Sequence, residues 1–157
     1  MKYRAAIVGA TGMVGQRFIT LLHNHPWFEI SALVASGRSA GRTYAQAVEG
    51  RWKMPVPIPD AVRDMVVMDS AQRERVAECA DFIFCAVDMP KAEIRAMEEA
   101  FARLETPVVS NNSACRGVED VPMLVPEING AHTRVIEAQR KRLGTRRGFI
   151  ACKPNCS

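Results

Sequence analysis

One stretch near the start of the chain constrains its fold more than any other: Ala5-Ala6-Ile7-Val8-Gly9-Ala10-Thr11-Gly12-Met13-Val14-Gly15. Ala5 to Val8 is an apolar run of the kind a central parallel strand needs when both its faces are covered. Gly9 and Gly12 carry no Cβ, so the backbone there can turn tightly and lie close against a ligand, and Gly15 lets the helix that follows approach the strand. The unpaired N–H groups and the positive dipole end at that helix start suit a phosphate or pyrophosphate. The spacing is G-x-x-G-x-x-G, whereas the commoner dinucleotide fingerprint is G-x-G-x-x-G. A tight strand-to-helix turn that holds no ligand is therefore the competing reading.

A length of 157 residues gives one domain with room for a core. With 48% hydrophobic and 24% charged residues the composition is that of a globular chain, not a disordered or fibrous one. No apolar run approaches the roughly 18 residues needed to span a bilayer, and Met-Lys-Tyr-Arg leads straight into the first strand without a signal peptide. The expectation is a cytoplasmic protein that does not engage a membrane. Cysteines 79, 85, 115, 152 and 156 form no C-x-x-C pair, and an odd number argues against a disulfide framework. Cys152 and Cys156 flank Lys-Pro-Asn with no histidine cluster nearby, and His23 and His25 read as exposed residues at a helix end, so no metal site is expected. A net charge of +4 suits an anionic small molecule and is too small to imply nucleic acid.

Along the chain, Met13 to His23 reads as a helix with Val14, Phe18, Leu21 and Leu22 on the packed face, ended by Pro26. Phe28 to Ala35 is the second strand. Strands of this kind in NAD sites usually lead to an Asp or Glu for the ribose 2′-hydroxyl. Here the loop Ser36-Gly37-Arg38-Ser39-Ala40-Gly41-Arg42 has no acid, and its hydroxyls and guanidiniums suit a 2′-phosphate, which implies NADP. A solvated basic loop is the alternative. Residues 43–60, with Pro55, Pro57 and Pro59, read as an irregular excursion. Met65 to Met68 is a short third strand, and Ser70 is the expected cap of a helix to Cys79. Asp81 to Val87 is a buried strand, and a helix through Leu104 follows with Ile94, Met97, Phe101 and Leu104 on one face. Pro107 to Ser110, an amphipathic helix over Ala131 to Leu143, and Gly148 to Cys152 complete an alternation that predicts an α/β fold with a right-handed, doubly wound, mostly parallel sheet. Asn111-Asn112-Ser113-Ala114-Cys115-Arg116 would fall at the carboxyl edge, where such sheets bind ligands, although a purely structural loop fits these residues equally well. The basic run from Gln139 to Arg147 lacks aromatic residues and reads as a solvated helix end rather than an RNA surface.

Taken together, GATGMVGQRF (9–18), ASGRSAGR (35–42), SNNSACR (110–116), DVPMLVPEIN (120–129) and PNCS (154–157) resemble the amino-terminal half of aspartate-β-semialdehyde dehydrogenases of the archaeal and fungal branch. The last two motifs are more specific than the glycine turn, and the resemblance covers all of residues 1–157 as one Rossmann-like NADP-binding domain. Malonyl-CoA reductase of the same branch shares much of the pattern, and N-acetylglutamyl-phosphate reductase is a more distant relative.

The resemblance implies NADP-dependent reductive dephosphorylation of L-aspartyl-4-phosphate to the semialdehyde, on the route to lysine, threonine and methionine. Cys156 would be the nucleophile that forms the thioacyl-enzyme, Asn155 its positioning neighbour, and Arg116 with Asn112 the substrate contacts. Gly9, Thr11, Gly12, Met13, Val14 and Gly15 would line the pyrophosphate, and Ser36, Arg38 and Ser39 the 2′-phosphate. Cys85, Ser110 and Asn111 would complete the cofactor set. Members of the family continue into a second domain with the histidine base, further substrate arginines and most of the dimer interface. His23, His25 and His132 do not match that motif. The expectation is a cofactor domain truncated at the catalytic-cysteine loop, which binds NADP without turnover and associates with itself or with a carboxyl-terminal half. In the full enzyme a helix start beside the cysteine would favour its thiolate, whereas a chain end one residue away would disfavour it. A stand-alone NADP-binding or redox-sensing module, with Cys85, Cys115 and Cys156 as available thiols, is the reading from a different class.

Overall fold

In the computed structural model, which describes residues 1–155, strands β1 (Tyr3–Val8), β2 (Phe28–Ala35), β3 (Met68–Asp69), β4 (Phe82–Cys85), β5 (Val108–Ser110) and β6 (Ile150–Cys152) form one sheet. Their spatial order is β3-β2-β1-β4-β5-β6, and every neighbouring pair is parallel. The sheet is thus doubly wound about β1, as the alternating pattern predicts. The helices are α1 (Met13–Leu22), α2 (Tyr44–Ala47), α3 (Asp60–Arg63), α4 (Arg73–Glu78), α5 (Lys91–Arg103), α6 (Pro126–Asn129) and α7 (Ile136–Leu143). Cys156 and Ser157 lie outside the described residues.

The period-two alternation of β1 explains the two cores. Ala5 and Ile7 face one layer, with Ile19 and Leu22 of α1, Leu33, Tyr44 and Val62. Ala6 and Val8 face the other, with Val76, Ile83, Met97, Phe101, Val108 and Ile150. Since both sides are apolar from Ala5 on, the Ala5–Val8 part of β1 reads as an unbroken hydrophobic run and not as an alternating one.

Several local expectations are corrected. The packed face of α1 is Gly15, Gln16, Ile19 and Leu22, while Val14 and Leu21 are exposed at 36% and 55%. Gly15 favours this face, because it lies so close to the preceding turn that a Cβ would meet Gly9 O at 2.1 Å. On α5, Ile94, Met97 and Phe101 are buried as predicted, whereas Leu104 caps the helix and is 37% exposed. The third strand joins the sheet only at Met68. Residues 65–67 bond back to the segment after β2 instead: Tyr44 N donates to Met65 O at 2.8 Å, and Val67 N to Arg42 O at 2.9 Å. Ser70 does not cap α4, whose N-cap is Gln72; its N–H continues the sheet edge by donating to Ala35 O at 2.9 Å.

The excursion over 43–60 contains one helical turn, α2, and a second, α3, begins at its last residue. Thr43-x-x-Gln46 forms a capping box that starts α2, with Thr43 N donating to Gln46 Oε1 at 3.1 Å. The proline segment between α2 and α3 is irregular, as expected. Residues 131–143 are not one helix: α6 and a 3-10 stretch over Gly130–Val135 precede α7. Just before the 3-10 stretch, the Asn129 side chain ties back to the segment that precedes α6, accepting from Val125 N at 2.8 Å and donating to Met123 O at 2.9 Å.

The outer edge of β6 is covered. Cys152 N donates to Pro122 O at 2.9 Å and Leu124 N to Cys152 O at 2.8 Å. Gln139, wholly buried on α7, acts as a strand would: Ile150 N donates to its Oε1 at 2.6 Å and its Nε2 donates to Ile150 O at 2.9 Å. The turn before β6 hangs on Glu105, which sits at φ 62° after α5. Its carboxylate accepts from the backbone N–H groups of Arg146 and Gly148, both at 2.9 Å, and also from Arg147 N. These N–H donors hold the Glu105 carboxyl below its ordinary range. A group depressed on folding stabilises above its unfolded pKa and loses that contribution as pH falls through the folded value. Glu105→Ala is therefore expected to cost about 1 kcal/mol at neutral pH. In thermal melts across pH, the gap from the parent chain closes as pH drops below 4.5, the group's ordinary value.

Candidate functional site

A cleft of about 400 Å³ opens at the carboxyl ends of β1 and β4. The chain leaves β1 through α1 toward β2 on one side, while β4 lies on the other, so this is the point where strand order reverses and where open α/β sheets bind ligands. The turn after β1 supplies Gly9, Thr11, Gly12, Met13 and Val14 to the wall. The loop after β2 supplies Ser36 and Arg38, and the loop after β5 supplies Asn111 and Asn112. Ser70 and the segment Ala86 to Met89 complete it. Sequence reasoning missed Ser70 by making it a cap, missed Val87 by extending the buried strand through it when β4 ends at Cys85, and missed Asp88 and Met89 by passing over them as the approach to α5. Their position directly after a strand that neighbours β1 was the available signal.

The three glycines of the turn differ in what they do. Gly9 has φ +87°, and a Cβ there would lie 1.9 Å from Ala86 O. A Cβ on Gly15 would lie 2.1 Å from Gly9 O. Both are demanded by the protein's own backbone. Gly12 is not: its φ of −76° suits any residue, and a Cβ would meet only Gly9 O at an ordinary 3.6 Å. The space above Gly12 is the cleft. The first turn of α1 has no side-chain cap and no acidic residue, so its N–H groups and positive dipole end face that space.

Buried polar groups tie the turn down from behind. Tyr44 OH donates to Ala10 O at 2.8 Å, and burial pushes this hydroxyl well above its ordinary pKa, so it stays a donor. Gln16 Nε2 donates to Thr11 O at 3.0 Å and Arg51 O at 2.9 Å, and Lys53 N donates to Gln16 Oε1 at 2.8 Å. The excursion after β2 thus braces the carbonyls on which the turn's shape depends.

After β2, Ser36 and Arg38 are exposed on the cleft wall, and Arg38 forms no ion pair among the described residues. Ser39 is buried at 7%, its N–H donates to Ser36 O at 2.9 Å, and it does not line the cleft. The wall after β5 shows a similar division. Asn112 reaches the cleft, but Ser110 and Cys85 are wholly buried behind it. Burial and the neighbouring Glu98 push the Cys85 and Cys115 thiols up, and burial, again with Glu98, pushes Cys152 up to about 12. Buried, protonated thiols are poor nucleophiles, which disfavours the redox-sensing reading for Cys85 and Cys115.

Arg116 is half-buried outside the cleft lining. Its Nε donates to Lys153 O at 3.1 Å and its Nη2 to Asn111 O at 2.9 Å, joining the loops after β5 and β6. Asn155 is exposed at the end of the described residues, and Cys156 lies beyond them. Among the described residues no group of three or more His, Cys, Asp or Glu side chains is placed to hold a metal ion. No helix among them is long and apolar enough to cross a membrane.

A parallel sheet in this order, with an uncapped helix start aimed into the cleft at the strand reversal, defines a Rossmann-like dinucleotide-binding domain. The sequence pattern of the family described as semialdehyde dehydrogenase, NAD binding domain, matches residues 4–136, and the chain belongs to that family. An aspartate-semialdehyde dehydrogenase of Archaeoglobus fulgidus is 42% identical over 159 residues, which is 100% of this chain and 43% of the relative. That of Cryptococcus neoformans is 44% identical over 155 residues, 98% of this chain and 41% of the relative. The crystal structure of aspartate semialdehyde dehydrogenase with NADP from Candida albicans superposes with a TM-score of 0.86 at 39% identity, over 99% of this chain and 43% of that one. The chain therefore spans less than half the length of these relatives.

The glycine roles are separable by stability. Gly9→Ala and Gly15→Ala are expected to destabilise by about 3 kcal/mol or more through backbone clash and strain, while Gly12→Ala stays within about 1 kcal/mol of the parent. Urea unfolding of the three variants checks this.

Proposed function

We propose that this chain is the NADP-binding domain of an aspartate-semialdehyde dehydrogenase, with residues 1–157 forming the cofactor half and the remaining length of its relatives corresponding to the half that completes the site. The observation that carries the cofactor assignment is the cleft-facing Gly12 at the uncapped start of α1, where backbone N–H groups of Met13 and Val14 would hold a pyrophosphate. Exposed Ser36 and Arg38, with no acid at the end of β2, fit a 2′-phosphate and favour NADP over NAD. Ser39 supports this loop from within. Asn111, Asn112 and Val87 would hold the reacting end, with Cys85 and Ser110 behind them.

When bound, NADPH supplies the hydride. Arg116 sets the spacing of the Lys153-Pro154-Asn155 segment, which leads to Cys156, the nucleophile that the family resemblance assigns. Two of its donors are on carbonyls, and the other N–H groups of the guanidinium would meet the phosphate of L-aspartyl-4-phosphate. The carboxyl-terminal half supplies the base and the remaining substrate contacts, and the domain assembles either as a homo-oligomer or by pairing with that half. The free cysteines 79, 85, 115 and 152 suit a reducing compartment such as the cytoplasm.

Calorimetric titration of the chain with NADP and with NAD tests the reading. NADP is expected to bind more tightly, and Gly12→Ala to weaken both ligands about tenfold or more, equal to about 1.4 kcal/mol. Arg38→Ala is expected to weaken NADP by a similar factor and leave NAD unchanged. Equal loss for the two ligands in Arg38→Ala would remove the 2′-phosphate assignment.

A further inference from the structure

Behind the wall formed by Asn112, two donors converge on one oxygen of a wholly buried carboxylate, that of Glu98 on α5. Oε1 accepts from Ser110 Oγ and from Asn112 Nδ2, the latter at 2.9 Å. Oε2 is buried and has no hydrogen-bond partner among the described residues. Stability does not account for such a group, because an apolar side chain of the same size at a buried site is usually as good or better. Its geometry does account for it.

A hydroxyl has one hydrogen to give. Ser110 spends it on Glu98, so its oxygen is left to accept, and it accepts from Asn112 N at 3.0 Å. A carboxamide presents a donor end and an acceptor end, and the two differ by a flip. With Nδ2 held by Glu98, the Oδ1 of Asn112 must point the other way, where it accepts from Val87 N at 3.0 Å. The remaining partner of Nδ2 is Cys85 Sγ at 3.3 Å, a weak acceptor that does not fix the orientation by itself. Each bond in this chain, from α5 through the loop after β5 to the loop after β4, has one direction: the Glu98 oxygen accepts at one end, and the Asn112 and Val87 N–H groups, which can only donate, agree with it at the other. Val87 and Asn112 line the cleft at its far end from Arg38.

We propose that Glu98 is a positioning residue for the reacting end of the cofactor site, acting through Ser110 and Asn112 to hold the loops after β4 and β5 in one register. The proposal rests on the cofactor reading of the cleft, so its test includes a readout that needs no cofactor. Hydrogen exchange of the Val87 amide and of the Asn112 carboxamide, followed by NMR in the cofactor-free chain, reports the network directly. Glu98→Ala is expected to speed Val87 exchange about tenfold and to weaken NADP binding about tenfold. Glu98→Gln, whose amide oxygen still accepts from Ser110 and Asn112, is expected to restore both to within about threefold. Ser110→Ala removes one link without emptying the core, and is expected to fall between them. If Glu98→Ala does not fold, parent-like exchange and affinity in Ser110→Ala would overturn the proposal. So would a folded Glu98→Ala that matches the parent in both readouts, or a Glu98→Gln that is as impaired as Glu98→Ala. Failure of the parent chain to bind NADP would remove the cofactor reading, while the exchange rates would still decide whether Glu98 orders these loops.

Discussion

The contact on which the rest of this molecule depends is the approach of α1 to the turn that precedes it. No side chain fits between Gly15 and the Gly9 carbonyl, where a Cβ would come within 2.1 Å. That closeness selects the packed face of α1, presses Ile19 and Leu22 into one core and turns Val14 to the cleft. The N-cap itself is Gly12, which has no side chain to cap with, so the helix start directs its N–H groups at the cleft. Packing and ligand geometry are thus set by the same few ångströms of backbone.

Around that contact, long polar side chains do the work of backbone. Gln16 bridges the glycine turn to the excursion after β2, Gln139 serves as a partner for β6, and Glu105 gathers three successive N–H groups into a turn. Gln16 and Gln139 satisfy buried or half-buried main-chain groups that no neighbouring strand or helix reaches, as Glu105 does at Gly148, and an unmade bond at such a group is costly. Glu98 belongs to the same set, but the groups it orders lie on the cleft wall.

The sheet was legible in the sequence because parallel strands buried on both faces leave continuous apolar runs, as in Ala5 to Val8 and Phe82 to Cys85, with glycines or polar residues at their ends. The glycine turn and the acid-free loop after β2 were legible for the same local reason. What was not legible depended on distant partners. The face of α1 depends on a contact across the turn, the third strand on bonds between residues 65–67 and the segment after β2, and the division between cleft-lining Asn112 and buried Ser110 on a carboxylate twelve residues away. Thr43-x-x-Gln46 is a local capping-box signal, legible in the sequence ahead of the prolines.

The coverage of β6 has a consequence for how this chain meets others. A bare strand edge invites any extended peptide to add to a sheet and so to aggregate. Here the Pro122–Leu124 segment and the Gln139 amide occupy that edge, and the opposite edge strand, β3, is only two residues long. Growth of the sheet is closed at one end and offers little purchase at the other. A partner of this domain therefore finds side-chain shape and charge to recognise over most of its surface, a more selective language than main-chain pairing, which reads almost any sequence alike.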